Sequence, residues 1–339
     1  MSLIRKGFQR IRYFLKKKAI VLSYHRVAIP DIDPWEISVS PANFEEHLQV
    51  LKKYKIITPA QLLMHLKGER LENNTVCITF DDGYQDNFVT ARPLLEKFNF
   101  HSTIFIPVHF IGQQKEFWWD ELQSIIFCKR DLPQKLSISI ANHIFEFDLE
   151  DEARFNSLQY EKNTQWIWYE ERKTKRAELY LRLWEQLRPI KLDEINDVLE
   201  KLKEWSSFSN SVEKNNFPMS EDQLHSIIAH PLFDIGIHTV THPALAYHEK
   251  QDQYNEISNC KKNLEVLSGR PMNTIAYPYG IYNEDTLEVA KELGVEIGFT
   301  TQGSAVQSND HPLKLARYHV KNWNGNEFEK RLRLWIKGF

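Results

Sequence analysis

The chain has 339 residues, of which 42% are hydrophobic and 26% are charged, enough for one large or two medium globular domains. Its formal net charge of −3 lacks the basic excess that is typical of general nucleic-acid-binding proteins, so nucleic acid is not expected as a partner. The three cysteines, Cys77, Cys128 and Cys260, form no CxxC pair and no disulfide framework, which indicates a reducing compartment.

The first 18 residues combine basic side chains with apolar residues at helical spacing. This pattern predicts a basic amphipathic helix, which could lie on an anionic membrane or pack on its own domain. The longest apolar run nearby is shorter than the ~7–15 residues of a signal sequence, and no run reaches the ~18 residues of a membrane span. We therefore expect a cytoplasmic protein, peripheral at the inner face of the membrane if the helix binds lipid.

Short apolar runs alternate with helical patterns through residues 19–339. The candidate strands are Ala19–Tyr24, Val76–Phe80, Ser102–Val108, Phe233–Ile237, Thr274–Tyr277, Glu296–Thr300 and Leu315–Val320. The candidate helices are Asn43–Tyr54, Pro59–Leu66, Asn87–Phe98, Glu221–Ala229, Glu256–Leu267, Glu284–Leu293 and Glu327–Lys337. Such alternation predicts parallel strands joined by crossover helices, and about seven units favour a barrel-like sheet.

The alternation breaks between about residues 110 and 217, where the sequence is charged and rich in tryptophan. This stretch reads as a mostly helical insertion into the barrel, with LSISI and HIFEFD as a small hairpin. Most of its tryptophans are expected in a core. Trp118 and Trp119 are adjacent and followed by Asp120, so we expect at least one of the two to face outward.

Polar or turn residues follow four of the predicted strands at the point where each strand ends. These residues are Asp81 and Asp82 after VCITF, His238 after FDIGI with His242 four residues later, His25 after AIVLSY, and the turn 278–280 after TIAY. Because functional groups gather at the carboxyl ends of the strands in parallel α/β sheets, we expect these residues to share one rim.

One aspartate and two histidines on that rim form a set of metal ligands. Carboxylate and neutral imidazole suit zinc, and three protein ligands leave a position open for water, although iron, cobalt or nickel would also accept them. Adjacent residues of an extended strand point opposite ways, so both aspartates can serve one site only where the strand has ended. One would bind metal and the other would take a proton from water. Gly83 would let the backbone turn sharply.

The motifs TFDDG and HTxxH resemble those of the polysaccharide deacetylase family, carbohydrate esterase family 4, and the match covers residues 19–108 and 217–320. The resemblance implies an α/β fold with a distorted (β/α)7 barrel that removes N- or O-acetyl groups from sugars. It implies that Asp81 is the catalytic base. It also implies that the backbone N–H of Tyr279 helps to hold the oxyanion. The implied ligands of a divalent metal, preferentially zinc, are Asp82, His238 and His242.

The sequence departs from the family pattern at two positions. The third motif usually carries an arginine that orients the catalytic aspartate, but this chain has Ala276 there, and Arg317 is the candidate replacement. The usual late histidine, the general acid, has no clear match, and His319 is only near in sequence. LSYH resembles that motif moved to the front, as in circularly permuted deacetylases that process poly-N-acetylglucosamine. His25 would then protonate the leaving amine.

The leading hypothesis is a metal-dependent amidohydrolase that removes an acyl group, preferentially acetyl, from an amino sugar or glycan precursor in cell-surface polysaccharide metabolism. A deformylase acting on a lipid-linked formamido sugar is a second enzyme hypothesis. A non-catalytic glycan-binding protein on the same fold is a third hypothesis, motivated by the missing arginine. Trp118 and Trp119 would be the aromatic candidates for stacking on a sugar ring.

Overall fold

The computed structural model describes residues 18–69, 71–72, 74–208 and 216–338. The predicted N-terminal amphipathic helix therefore lies outside the described residues, apart from Lys18. No helix among the described residues is long and apolar enough to cross a membrane.

A curled, parallel sheet of eight strands forms the centre of the described molecule. Its strands are β1 (Ala19–Tyr24), β4 (Lys55–Ile57), β5 (Thr75–Phe80), β6 (Ser102–Ile106), β9 (Phe233–Ile237), β10 (Thr274–Ala276), β11 (Ile297–Phe299) and β12 (Tyr318–His319). The order along the sheet is β11-β10-β9-β6-β5-β1-β12, with β4 paired to β5. The fold is the predicted distorted α/β barrel of the deacetylase type.

The strands β1 and β5 are mostly apolar, and all of their residues are buried. Such sequences are typical of parallel strands that are covered on both faces. The two strands pair in register from Ala19 opposite Thr75 to Tyr24 opposite Phe80. Because the register is fixed over six residues, His25 and Asp81, which directly follow the two strands, leave the sheet at the same height.

The segment after β11 brings the two edges of the sheet together. Leu315 donates its N–H to the carbonyl of Gly298 and accepts from the N–H of Thr300, so it lies against β11. Three residues later, β12 pairs with β1. The predicted strand Leu315–Val320 is therefore a short link that contacts both edges, and it places Arg317 between them.

Helices cover the strands in the predicted places. They are α1 (Pro41–Leu51), α2 (Pro59–Leu66), α3 (Arg92–Phe98), α8 (Glu221–Ile228), α9 (Lys250–Ser268), α10 (Glu284–Glu292) and α11 (Gly325–Lys337). The capping box predicted at Ser220 is present, with Gln223 as its partner. Gly269 ends α9 in a left-handed conformation, as its position after the helix predicted. The main difference is that α9 begins six residues before the predicted Glu256.

Between β6 and β9 the chain forms a separate helical layer with one hairpin. The helices are α4 (Trp118–Gln123), α5 (Ser157–Thr164), α6 (Lys175–Leu187) and α7 (Leu192–Ser206), and the predicted hairpin is β7 (Lys135–Ile140) with β8 (His143–Asp148). A remaining short pair, β2 (Arg26–Val27) with β3 (Ser38–Val39), follows β1. The layer has its own hydrophobic core. The expectation that Trp118 or Trp119 faces outward is wrong, because both rings are buried in this core, at 2% and 6% exposure.

Candidate active site

The two aspartates that follow β5 are buried, and the backbone between them turns sharply. Asp82 has a φ of 71° and Gly83 a φ of 67°, both in the left-handed region that most residues avoid. At Gly83 an added Cβ would lie 2.9 Å from the side chain of Ile106, so a larger residue would also be crowded. The turn ends the alternation of side-chain directions along β5. Backbone strain of this kind in a non-glycine residue such as Asp82 is typical of functional sites.

Asp82, His238 and His242 form the candidate metal centre. The Oδ1 atom of Asp82 lies 3.3 Å from Nε2 of His238 and 3.2 Å from Nε2 of His242. All three side chains are buried, and their potential ligand atoms lie within 4.8 Å of one another. A tetrahedral ion with bonds of ~2.0–2.1 Å separates its ligand atoms by roughly 3.3–3.4 Å, so the observed spacing fits a zinc-sized ion.

Electrostatics favour the ligand forms of these side chains. Burial would raise the pKa of Asp82, but the two histidines outweigh burial and hold it well below its usual range. Burial lowers the pKa of His242, although Asp82 opposes that shift. A carboxylate and a neutral imidazole are the protonation states that bind a divalent metal.

Contacts behind the histidines fix their orientation. Nδ1 of His238 donates to the carbonyl of Ala276 at 2.8 Å, so Nε2 is left to face Asp82. The loop from His238 to His242 is held by Glu256 of α9, whose Oε2 accepts from the N–H groups of Val240 and Thr241 at 2.8 and 2.9 Å. Glu256 was not identified from the sequence, because nothing in its spacing links a helical glutamate to this loop.

Asp81 forms a buried pair with Arg317. Nη1 and Nη2 of Arg317 donate to the two carboxylate oxygens of Asp81, each at 2.7 Å, and Arg317 is only 1% exposed. Nε of Arg317 donates to the carbonyl of Thr300 at 3.1 Å, which fixes the guanidinium plane. Burial would raise the pKa of Asp81, but the charge and hydrogen bonds of Arg317 outweigh it and lower this pKa. Arg317 thus contacts the Asp81 carboxylate, which the alanine at position 276 has no polar group to bind.

His25 also lies beside Asp81, with its Nε2 3.8 Å from Oδ2 of Asp81. The ring of His319 packs against it at a centroid distance of 5.4 Å. Nε2 of His319 donates to the carbonyl of Glu36 at 2.8 Å, and burial followed by the charge of His25 lowers its pKa to about 3. Both histidines lie near Asp81. His25 lies about 0.5 Å beyond hydrogen-bonding range of the Asp81 carboxylate.

Two residues just downstream of the aspartates hold the His25 segment in place. Oδ2 of Asp86 accepts from Nε of Arg26 at 3.0 Å, and its Oδ1 accepts from the N–H of Val27 at 2.9 Å. Nδ2 of Asn87 donates to the carbonyl of His25 at 2.7 Å. The sequence offered a signal that was not used, since a carboxylate and an amide directly follow TFDDG in YQDN.

Tyr279 stands beside the metal ligands, with its ring 4.6 Å from that of His242. Its φ of 57° is again in the left-handed region. The buried ring of Trp119 also contacts His242, at 4.8 Å, and lies 6.4 Å from the ring of Tyr279. Trp119 donates from Nε1 to the hydroxyl of Tyr84 at 2.7 Å, and that hydroxyl donates to Asp120 at 2.8 Å. The inserted layer therefore forms one wall of the candidate site.

Comparison with known proteins places this site in a family. The model for polysaccharide deacetylases matches residues 68–126 and 193–298, which contain both TFDDG and HTVTH. The chain belongs to the polysaccharide deacetylase family. The unmatched residues between the two segments coincide with most of the inserted layer.

Individual deacetylases are similar over different lengths. YxkH of Bacillus subtilis, which carries the name of a polysaccharide deacetylase, is 22% identical over 89% of this chain and 71% of its own length. A poly-beta-1,6-N-acetyl-D-glucosamine N-deacetylase of Staphylococcus aureus is 30% identical over 24% of this chain and 27% of its own. The Streptococcus pyogenes deacetylase PplD, solved with acetate, is 19% identical, with a TM-score of 0.54 over 95% of this chain and 99% of its own. The likeness to PplD shows that the fold is shared.

Proposed function

We propose that the protein is a metal-dependent hydrolase that removes an N-acyl group, preferentially acetyl, from an amino sugar of a cell-surface glycan or its precursor. The observation that carries the proposal is the pairing of Asp81 with Arg317 directly beside the Asp82–His238–His242 cluster. An ion held by that cluster, preferentially zinc, would acidify a water molecule and polarise the acyl carbonyl.

In this proposal, Asp81 accepts the proton of the attacking water. A carboxylate with a lowered pKa stays ionised across the physiological range, and the two hydrogen bonds from Arg317 hold it in one orientation. Arg317 cannot take up that proton, because its guanidinium is already charged. Its role is to position Asp81 and to offset the cost of burying it.

His25 is proposed to protonate the leaving amine, which would otherwise depart as a strongly basic anion. Its ring is partly exposed, at 19%, and lies 3.8 Å from Oδ2 of Asp81, the oxygen that also accepts from Nη2 of Arg317. The backbone N–H of Tyr279, on the opposite wall, is proposed to bind the oxyanion of the tetrahedral intermediate. The ring of His319 packs against that of His25 and supports it. Because the pKa of His319 is lowered to about 3, His319 is neutral at physiological pH.

The non-catalytic alternative was motivated by the arginine missing at Ala276. The contact of Arg317 with Asp81 weakens that motive, because a binding module needs neither an oriented carboxylate nor a metal cluster beside it. Acetyl and formyl groups differ by one methyl group, so the assay includes both.

The direct test is turnover of acylated sugars by the zinc-loaded protein. Acetate and free amine should appear from oligomers of N-acetylglucosamine, disappear after chelation, and return when zinc is added. A matched N-formyl oligomer would release formate more rapidly if the deformylase alternative is correct. Absence of either product, from protein shown to contain one metal ion per chain, would contradict the proposed hydrolase.

A further inference from the structure

A continuous series of aromatic contacts leads away from the candidate metal centre. Tyr279, which packs against His242, lies 5.9 Å from the ring of Trp184 in α6. Trp184 lies 4.3 Å from Trp35, and Trp35 lies 5.7 Å from Trp168. Trp168 in turn contacts Tyr169 at 5.7 Å. The inserted layer supplies three of these rings, so it carries a series of packed aromatic rings from the site to the exposed Trp168 and Tyr169.

The far end of this series returns to the proposed acid. The hydroxyl of Tyr169 donates to Oε2 of Glu36 at 2.9 Å, and Lys321 bonds to the same carboxylate. The carbonyl of Glu36 accepts from His319, whose ring supports His25. The aromatic residues therefore connect the metal side of the candidate site to its acid side.

The outer rings are exposed although they are firmly held. Trp168 is 45% exposed and Tyr169 is 55% exposed. The N–H of Trp168 donates to the carbonyl of Pro34 at 3.0 Å, which ties the inserted layer to the loop after β2. Nε1 of Trp35 donates to the buried hydroxyl of Tyr180 at 2.7 Å, which fixes the ring behind Trp168. A preorganised aromatic face loses little entropy when a ligand packs on it.

We propose that Trp168 and Tyr169 form a second sugar subsite, which holds a further unit of the glycan whose acylated unit lies at the metal centre. This inference rests on the proposed function and adds a second subsite to it. A sugar ring offers an apolar C–H face to an aromatic ring and hydroxyl groups at its edge.

The polar groups around the two rings match that chemistry. Lys321 lies 4.8 Å from the centre of the Tyr169 ring and is paired with Glu36, so donors and acceptors flank the exposed aromatic face. A few polar groups beside an apolar surface fix the orientation of a bound ligand. An isoprenoid tail would gain nothing from these charges and would have to desolvate them, so a sugar is the favoured occupant.

The decisive variant is Trp168→Ala, and Leu158→Ala is its matched control. Leu158 is 60% exposed and belongs to α5 of the same inserted layer, so its truncation also removes an exposed apolar side chain. The probes are N-acetylglucosamine and its β-1,6-linked pentamer. In Trp168→Ala the ratio of kcat/KM for the pentamer to that for the monomer should fall roughly 3- to 10-fold, and in Leu158→Ala the ratio should not change.

A binding measurement makes the inference testable without turnover. Pentamer binding is measured by calorimetry in the Asp81→Asn variant and in the double variant that also carries Trp168→Ala. The Kd should be roughly 3- to 10-fold higher in the double variant. The same Kd with and without Trp168 would overturn the subsite, whether or not the protein is a hydrolase. Weaker binding to vesicles that contain polyprenyl phosphate, with unchanged pentamer binding, would also overturn it and assign the surface to lipid. Failure of the proposed function alone would appear as pentamer binding that depends on Trp168 but no release of acyl groups.

Discussion

The two halves of the candidate site are built in different ways. The metal half, Asp82 with His238 and His242, comes from two short motifs that each follow one strand. The acid–base half joins Asp81 to His25 near the start of the chain and to Arg317 near its end. The first half depends on local turns, whereas the second depends on β12 pairing with β1. Motif searches therefore detect the first half more readily than the second.

This comparison predicts that the two halves fail separately. The largest loss should follow His242→Ala, because a site with three protein ligands has none to spare. Metal content should fall from one ion per chain to nearly none, and hydrolysis should disappear with it. His225→Ala, an exposed histidine of α8, is the control and should leave metal content unchanged. Full metal occupancy in His242→Ala would show that the metal half has been assigned wrongly.

Loss of the proposed acid should reduce the rate while the metal stays bound. In His25→Ala we expect turnover to fall by ~10²–10⁴-fold, the usual contribution of a general acid, with metal content unchanged. His319→Ala should have a smaller effect, because that ring supports His25 from behind. A larger loss in His319→Ala than in His25→Ala would transfer the acid role to His319.

Arg317 tests whether the acid–base half depends on orientation as well as charge. Arg317→Lys keeps the charge but loses the two parallel hydrogen bonds to Asp81, so turnover should fall roughly 10- to 100-fold. The pKa of Asp81 should rise because burial is then offset less well. A base works only when deprotonated, so the acidic limb of the rate profile should move to higher pH. An acidic limb that does not move in Arg317→Lys would contradict this account. The control is Arg270→Lys, at an exposed arginine.

The smallest effect predicted from this comparison concerns the loop that carries the two histidines. Glu256→Gln keeps the size of the side chain but weakens its hydrogen bonds to Val240 and Thr241. Metal affinity should fall by about 10-fold, at the lower end of the usual effect of residues behind the ligands. Glu288→Gln, at an exposed position of α10, should not change it. Equal affinities in the two variants would show that the loop holds its shape without Glu256.

The sequence carried the order of strands and helices because each strand is a short buried run and each helix has its own pattern or cap. It also led to the metal half, since both motifs directly follow a strand. It could not show that Trp118 and Trp119 are buried, because their partners are the helices of a layer whose packing leaves no local pattern. Glu256 was missed for the same reason, since its role arises from contacts across the fold. Asp86 and Asn87 stand out in YQDN, but their contacts with the His25 segment are equally distant in sequence and could not be read from that motif.

The central claim is that two adjacent aspartates have different roles, and one paired measurement tests it directly. Metal content and turnover should be measured for Asp81→Asn and Asp82→Asn in parallel, each variant being nearly isosteric with the original residue. Asp81→Asn should keep one ion per chain and lose ~10²–10⁴-fold in rate, whereas Asp82→Asn should lose most of the metal as well. An Asp81→Asn protein that loses its metal, or that hydrolyses acylated sugars at the unmodified rate, would contradict the division of roles.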